Sequence, residues 1–126
     1  MHEQPSILEL VQAVKNFVDE TAMPELQGRA GFHARVASNV LATILRDLEN
    51  RAESDAKERG RLQALLGLSE EPELAALNRE LSRRIREREI DLESTELMKH
   101  LKMTAIDQIR VDQPTYSGLK TALKDS

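Results

Sequence analysis

The residues best suited to chemistry fall between Arg29 and Asn39, in a stretch that opens with Gly28 and Gly31 and carries Arg29, Phe32, His33, Arg35 and Asn39. Arg29 and His33 are four apart, so a helix sets them one turn from each other. Glycines at its start leave backbone amides open beside a cation, an arrangement that suits a phosphate or a carboxylate. Arg35 and Asn39 share a second face at the same spacing, where a guanidinium fork could grip a carboxylate on a partner. Each feature also has a plainer reading. Arg29 pairs with Glu25 or with solvent, and that is the preferred assignment. Advancing about 100° per residue places Phe32, Val36, Ala37, Val40, Leu41, Ile44, Leu45 and Leu48 in one wide apolar arc with His33 near its middle. A histidine there is more often a core residue whose ring nitrogens find partners than a catalyst or ligand.

Other chemistry is poorly supported. The chain has no cysteine, which excludes disulfides, thiolate metal sites and a cysteine nucleophile. His2, His33 and His100 share no metal-ligand spacing with one another or with nearby acids. There is no HExxH, no di-iron carboxylate pattern, no GxxxxGK loop and no GxSxG elbow. Glu70, Glu71 and Glu73 read as a helix start. Glu96 and His100 read as a surface contact, and Tyr116 reads as a packing residue with its hydroxyl at the rim. The sequence thus implies no catalytic residue, no metal and no cofactor.

The elements that must position these residues are helices. Leu, Ala, Glu and Arg are abundant, and Phe17, Phe32 and Tyr116 are the only aromatics. Ser6 with Glu9 forms a capping box ahead of the stripe Ile7, Leu10, Val11, Val14, Phe17, Val18. Met23-Pro24 is expected to stop that helix. A second helix is expected from about Ala30 to about Arg51. The polar segment Glu53 to Gly60 reads as a loop or frayed turn, followed by a short helix, Arg61 to Leu66, closed by Gly67. Ser69-Glu70-Glu71-Pro72 starts a fourth helix with a narrow seam of Leu74, Leu77, Leu81 and Ile85. Ser94 caps a fifth with Leu97, Met98, Leu101, Ala105, Ile106 and Ile109, which Pro114 ends. The tail, 115–126, either docks as a short helix or stays flexible. No segment alternates with period two. The expected fold is all-α: one domain, 1–126, folded as an up-and-down bundle of about four or five helices.

Charge narrows the partners. With 22 acidic and 18 basic residues the chain is mildly acidic. Its basic cluster, Arg79, Arg83, Arg84, Arg86 and Arg88, is interleaved with Glu80, Glu87 and Glu89, so it reads as an ion-paired solvent face. Nucleic acid is therefore not expected. No segment reads as a signal peptide or a bilayer span, so no membrane partner is expected and the expected location is cytoplasmic.

The run Gly31-Phe32-His33-Ala34-Arg35-Val36-Ala37, with Asn39 two positions on, resembles the signature of a small bacterial family of uncharacterised all-helical proteins. Pro5 to Phe17, Ala75-Ala76-Leu77-Asn78, and Val111-Asp112-Gln113-Pro114 with Tyr116 are similar to the rest of that family's pattern. Gln113 stands where the family tends to have asparagine. The resemblance implies a context. Such proteins are encoded beside aminoglycoside-phosphotransferase-like kinases and acyl-CoA dehydrogenases, and one version is the small subunit of a 4-hydroxyacyl-CoA kinase. The kinase would supply nucleotide, magnesium and phosphoryl transfer. By that resemblance this chain is a non-catalytic accessory subunit, with Phe32, His33, Arg35 and Asn39 as contact candidates. Two alternatives stand beside it. One is a self-associating module, suggested by the Leu74–Ile85 seam. The other is an anion- or CoA-binding protein using Arg29 and His33.

Overall fold

A computed structural model describes residues 4–70 and 72–124. Those residues are all-α, with no strand among them. His2 lies outside them. The chain divides into two compact units, Met1–Arg51 and Ala52–Ser126.

In the first unit, α1 spans Ile7–Phe17 and starts where Ser6 Oγ accepts from the Glu9 amide at 3.1 Å. Helical conformation then continues past the expected stop. Val18–Ala22 forms one wider π turn, closed by the Met23 amide on the Val18 carbonyl, and Met23–Glu25 forms the short α2. Pro24 explains both features. It has no N–H to give the preceding turn, and its ring crowds that turn's carbonyl, so the backbone widens ahead of it. In the first turn of α2 the missing donor is not needed. The break comes two residues later, at extended Leu26 (φ −106°, ψ 141°).

The long helix α3 spans Gly28–Leu66, so Glu53 to Gly60 is not a loop. Residues in this stretch are good helix formers, and pairs four apart reinforce it: Arg51 with Asp47 at 2.6 Å and Lys57 with Glu53 at 2.9 Å. Polarity had suggested a loop, but a helix polar all round is stable when such pairs line it. Gly67, at φ +68°, ends α3 as expected, with the Leu68 amide reaching back to the Gln63 carbonyl at 3.0 Å.

The second unit is built on Leu62 and Leu66 of α3, Leu77 and Leu81 of α4 (Leu74–Arg86), and Leu97 of α5 (Thr95–Asp112). Ile85, Leu74 and Ile90 pack against this core. The narrow seam on α4 thus faces the unit's own core, with Leu77 and Leu81 buried and Leu74 and Ile85 half-buried. α4 begins at Leu74, two residues later than Pro72 would allow, with no side chain capping it. Ser94 caps α5, accepting from the Leu97 amide at 3.3 Å. The tail docks: α6 spans Ser117–Lys124, lies against α5 and buries Leu119. The Tyr116 ring lies over Gly118, where an added Cβ would come within 2.6 Å of it and the half-exposed ring would have to shift.

The arginine cluster behaves as an ion-paired face. Arg83 bridges Glu80 and Glu89, Arg84 also holds Glu80, and the two guanidiniums bring the Glu80 carboxyl down to about 2. Arg84 additionally donates to the Leu66 carbonyl at 2.9 Å, closing the end of α3. Arg88 terminates α4 in the left-handed region at φ +59°, while the Glu89 amide bonds the Arg84 carbonyl at 2.8 Å. Only glycine adopts that conformation without steric cost. Arg88→Gly is expected to raise stability by about 1 kcal/mol, read as a higher urea midpoint at unchanged slope.

Candidate functional site

The first unit is a helical hairpin, and its turn explains where the sequence motif sits. The chain reverses at Leu26 and Gln27, and Gly28 at φ +60° starts α3. Gly31 is buried because the Leu26 backbone crosses directly over it; an added Cβ would meet the Leu26 carbonyl oxygen at 3.0 Å. Farther along, the Ser38 hydroxyl donates to Asp19 Oδ1 while Lys15 Nζ holds Oδ2 at 2.6 Å. These hydrogen bonds hold the Asp19 carboxyl below its ordinary range. Held that low, the carboxylate is too weak a base to take the hydroxyl proton, so the cluster clips α1 to α3 and does not activate Ser38.

This clip sets the rotation of α3 and corrects the assignment of His33 to the core. The inward seam runs along buried Ser38 and Leu45 with half-buried Ala34 and Leu41, and His33 is exposed. Its ring packs edge-on against Phe32 with centroids 5.7 Å apart. Arg29, Arg35 and Asn39 are exposed as well. Among the described residues Arg29 and Arg35 make no ion pair, so the expected Arg29–Glu25 contact does not form. All five candidate residues therefore project from one end of the hairpin, with the fold's own contacts made by the glycines and serine between them.

The apolar arc is displaced from the seam. On α3, Phe32, Val36, Val40, Ile44 and Leu48 remain 40–58 % exposed; on α1, Ile7, Leu10, Val14 and Phe17 remain 53–67 % exposed. On α1 the half-buried side is Val11 and Lys15, and on each helix the stripe lies to the same rotational side of its seam at about 100° per residue. Since the hairpin's helices run in opposite directions, both stripes fall on one face.

A second locus, in the second unit, corrects the reading of His100 as a surface contact of Glu96. His100 is buried, 4 % exposed, and its Nδ1 accepts from Arg61 Nε at 3.2 Å. The same guanidinium donates to Thr104 Oγ1 at 3.2 Å. An arginine can only donate, so a neutral His100 carries its proton on Nε2. Burial first, and the Arg61 charge second, push the imidazole below its ordinary value of 6.5. A shallow cleft of about 390 Å³ lies here, lined by Arg61, Ala64, Leu65, Glu96, Lys99 and His100. The signal was the spacing Leu97, His100, Thr104. α5 buries Leu97, His100, Ile106 and Val111; Leu97 and Ile106 belong to the stripe read from the sequence, whereas its Met98, Leu101 and Ala105 are exposed.

Neither locus sets a nucleophile against a competent base, and among the described residues no three potential metal ligands converge. No described helix is long and apolar enough to cross a membrane. What the chain presents is an all-helical fold with a polar motif and an apolar face on its outside. Residues 24–116 match the family described as a domain of unknown function (DUF6285), and the chain belongs to that family. Neither a curated protein nor a solved structure matches it.

Two measurements follow. Gly31→Ala is expected to lose about 1–3 kcal/mol of stability against the Leu26 carbonyl. Gly60→Ala, in open space on the same helix, is expected to gain about 0.5–1 kcal/mol in the same denaturation series. For His100, a lowered folded-state value means that the unfolded chain binds the proton first. Stability contributed by neutral His100 is complete above 6.5 and is lost as pH falls through 6.5 toward the folded value. His100→Asn, which keeps an acceptor for Arg61, is expected to flatten that decline, and the His100 ring resonances are expected to titrate below 6.5.

Proposed function

We propose that this chain is a non-catalytic accessory subunit that binds an aminoglycoside-phosphotransferase-like kinase acting on a hydroxyacyl-CoA, and activates or stabilises it. The observation that carries the reading is the outward placement of Phe32, His33, Arg35 and Asn39. If these motif residues served the fold, they would be buried or bonded within the hairpin; instead Gly31, Ser38 and Leu45 do that work. An exposed aromatic next to an arginine without an ion-pair partner is the composition of a contact hot spot. The central motif's resemblance supplies the kinase, which would itself carry out phosphoryl transfer.

The test is reconstitution with the kinase. Co-elution in equal amounts and at least about a tenfold gain in kinase activity or half-life are expected. Phe32→Ala and Arg35→Ala should each weaken the complex by about tenfold, the usual scale for a contact residue of this type. A kinase fully active alone and without affinity for the chain would defeat the proposal.

A further inference from the structure

Of the hairpin's apolar face the kinase reading uses only Phe32. α1 buries no residue, and between positions 4 and 51 only Gly31, Ser38 and Leu45 are buried. Two helices cannot enclose a core by themselves, and the stable solutions add further helices over the open face. Nine large apolar side chains stand about half exposed there. At roughly 150 Å² each, the low end of the aromatic range because seven of the nine are aliphatic, they present about 700 Å². The largest patch on a typical monomer is about 300–600 Å², whereas one partner in a standard stable interface contributes about 800 Å².

The charges on the face favour a like surface. The α1 stripe from Ile7 to Phe17 carries none. On α3 they are confined to the ends: Arg29 and His33 at one, and Asp47 already paired with Arg51 at 2.6 Å at the other. Two copies related by a two-fold axis can therefore meet across the middle without opposing like charges, as an isologous interface requires. Homodimer interfaces are also the most apolar class, resembling a core divided between chains. We infer that the α1–α3 face binds a second copy of this chain, the two hairpins closing into a four-helix bundle.

Light scattering on the purified full chain decides this without any kinase. A mass of twice 14.2 kDa is expected, falling toward the single-chain value only on dilution. Val14→Glu and Val40→Glu place a charge at the centre of the face and should each weaken association at least tenfold. Gln12→Glu, on the polar side of α1, should leave it unchanged. Circular dichroism checks that the variants keep their helices, and the unmodified chain remains decisive if they do not. A chain of 14.2 kDa at about 200 µM overturns the inference. So does a dimer indifferent to both glutamates, since its interface would then lie elsewhere. If the chain is monomeric alone and a kinase complex is lost with Val40→Glu, the face belongs to the kinase; that result would overturn the dimer and leave the accessory role standing.

Discussion

The first unit depends on one carboxylate. Asp19 receives the Lys15 ammonium on one oxygen and the Ser38 hydroxyl on the other, and this polar clip substitutes for the hydrophobic contacts that the hairpin lacks. It fixes how far α3 is rotated toward α1. That rotation turns Ala34, Ser38, Leu41 and Leu45 inward and leaves the neighbouring apolar stripe outside. A hydrogen bond is directional in a way that apolar burial is not, so a polar anchor can set register while the greasy surface remains available. The exposed face is thus a consequence of how the hairpin is held.

The second unit shows the opposite economy. Its leucines from three helices fill a common centre, and its polar groups serve helix ends: Arg84 on the Leu66 carbonyl, Ser94 on the Leu97 amide, Arg88 at the end of α4. His100 is the exception within this arrangement. It occupies a position an apolar side chain would normally take, and the Arg61 guanidinium makes the site habitable by fixing the ring neutral. Burial and a nearby cation act in the same direction, so the protonation state follows from placement alone.

Much of the helix content was legible because caps and breakers are local: Ser6, Gly67, Ser94 and Pro114 all act where expected. The continuous α3 was not legible. Polarity between Glu53 and Gly60 weakened the apolar period, while the i,i+4 ion pairs that sustain the helix need both partners placed before they count. At the candidate site, the set Arg29, Phe32, His33, Arg35 and Asn39 could be read as one helical group. Its orientation could not, since an apolar arc wider than one neighbour can cover leaves the seam undetermined. The clip that resolves it joins residues 19 and 38, outside the motif's own sequence. His100 was hidden for a related reason, being judged by its acidic neighbour one turn back while its partner sits 39 positions away.

The contrast in depth between the units implies an order of opening. Amides near Leu62, Leu77 and Leu97 sit in a common core, so their exchange with solvent waits on cooperative unfolding of that unit. Amides of α1 guard no buried side chain, and breaking the Asp19 contacts suffices to let that helix fray. Acid reaches the clip directly, because a protonated Asp19 loses the Lys15 attraction. The hairpin is thus the protein's early-melting element, and whatever covers its face acts as a brake on that melting.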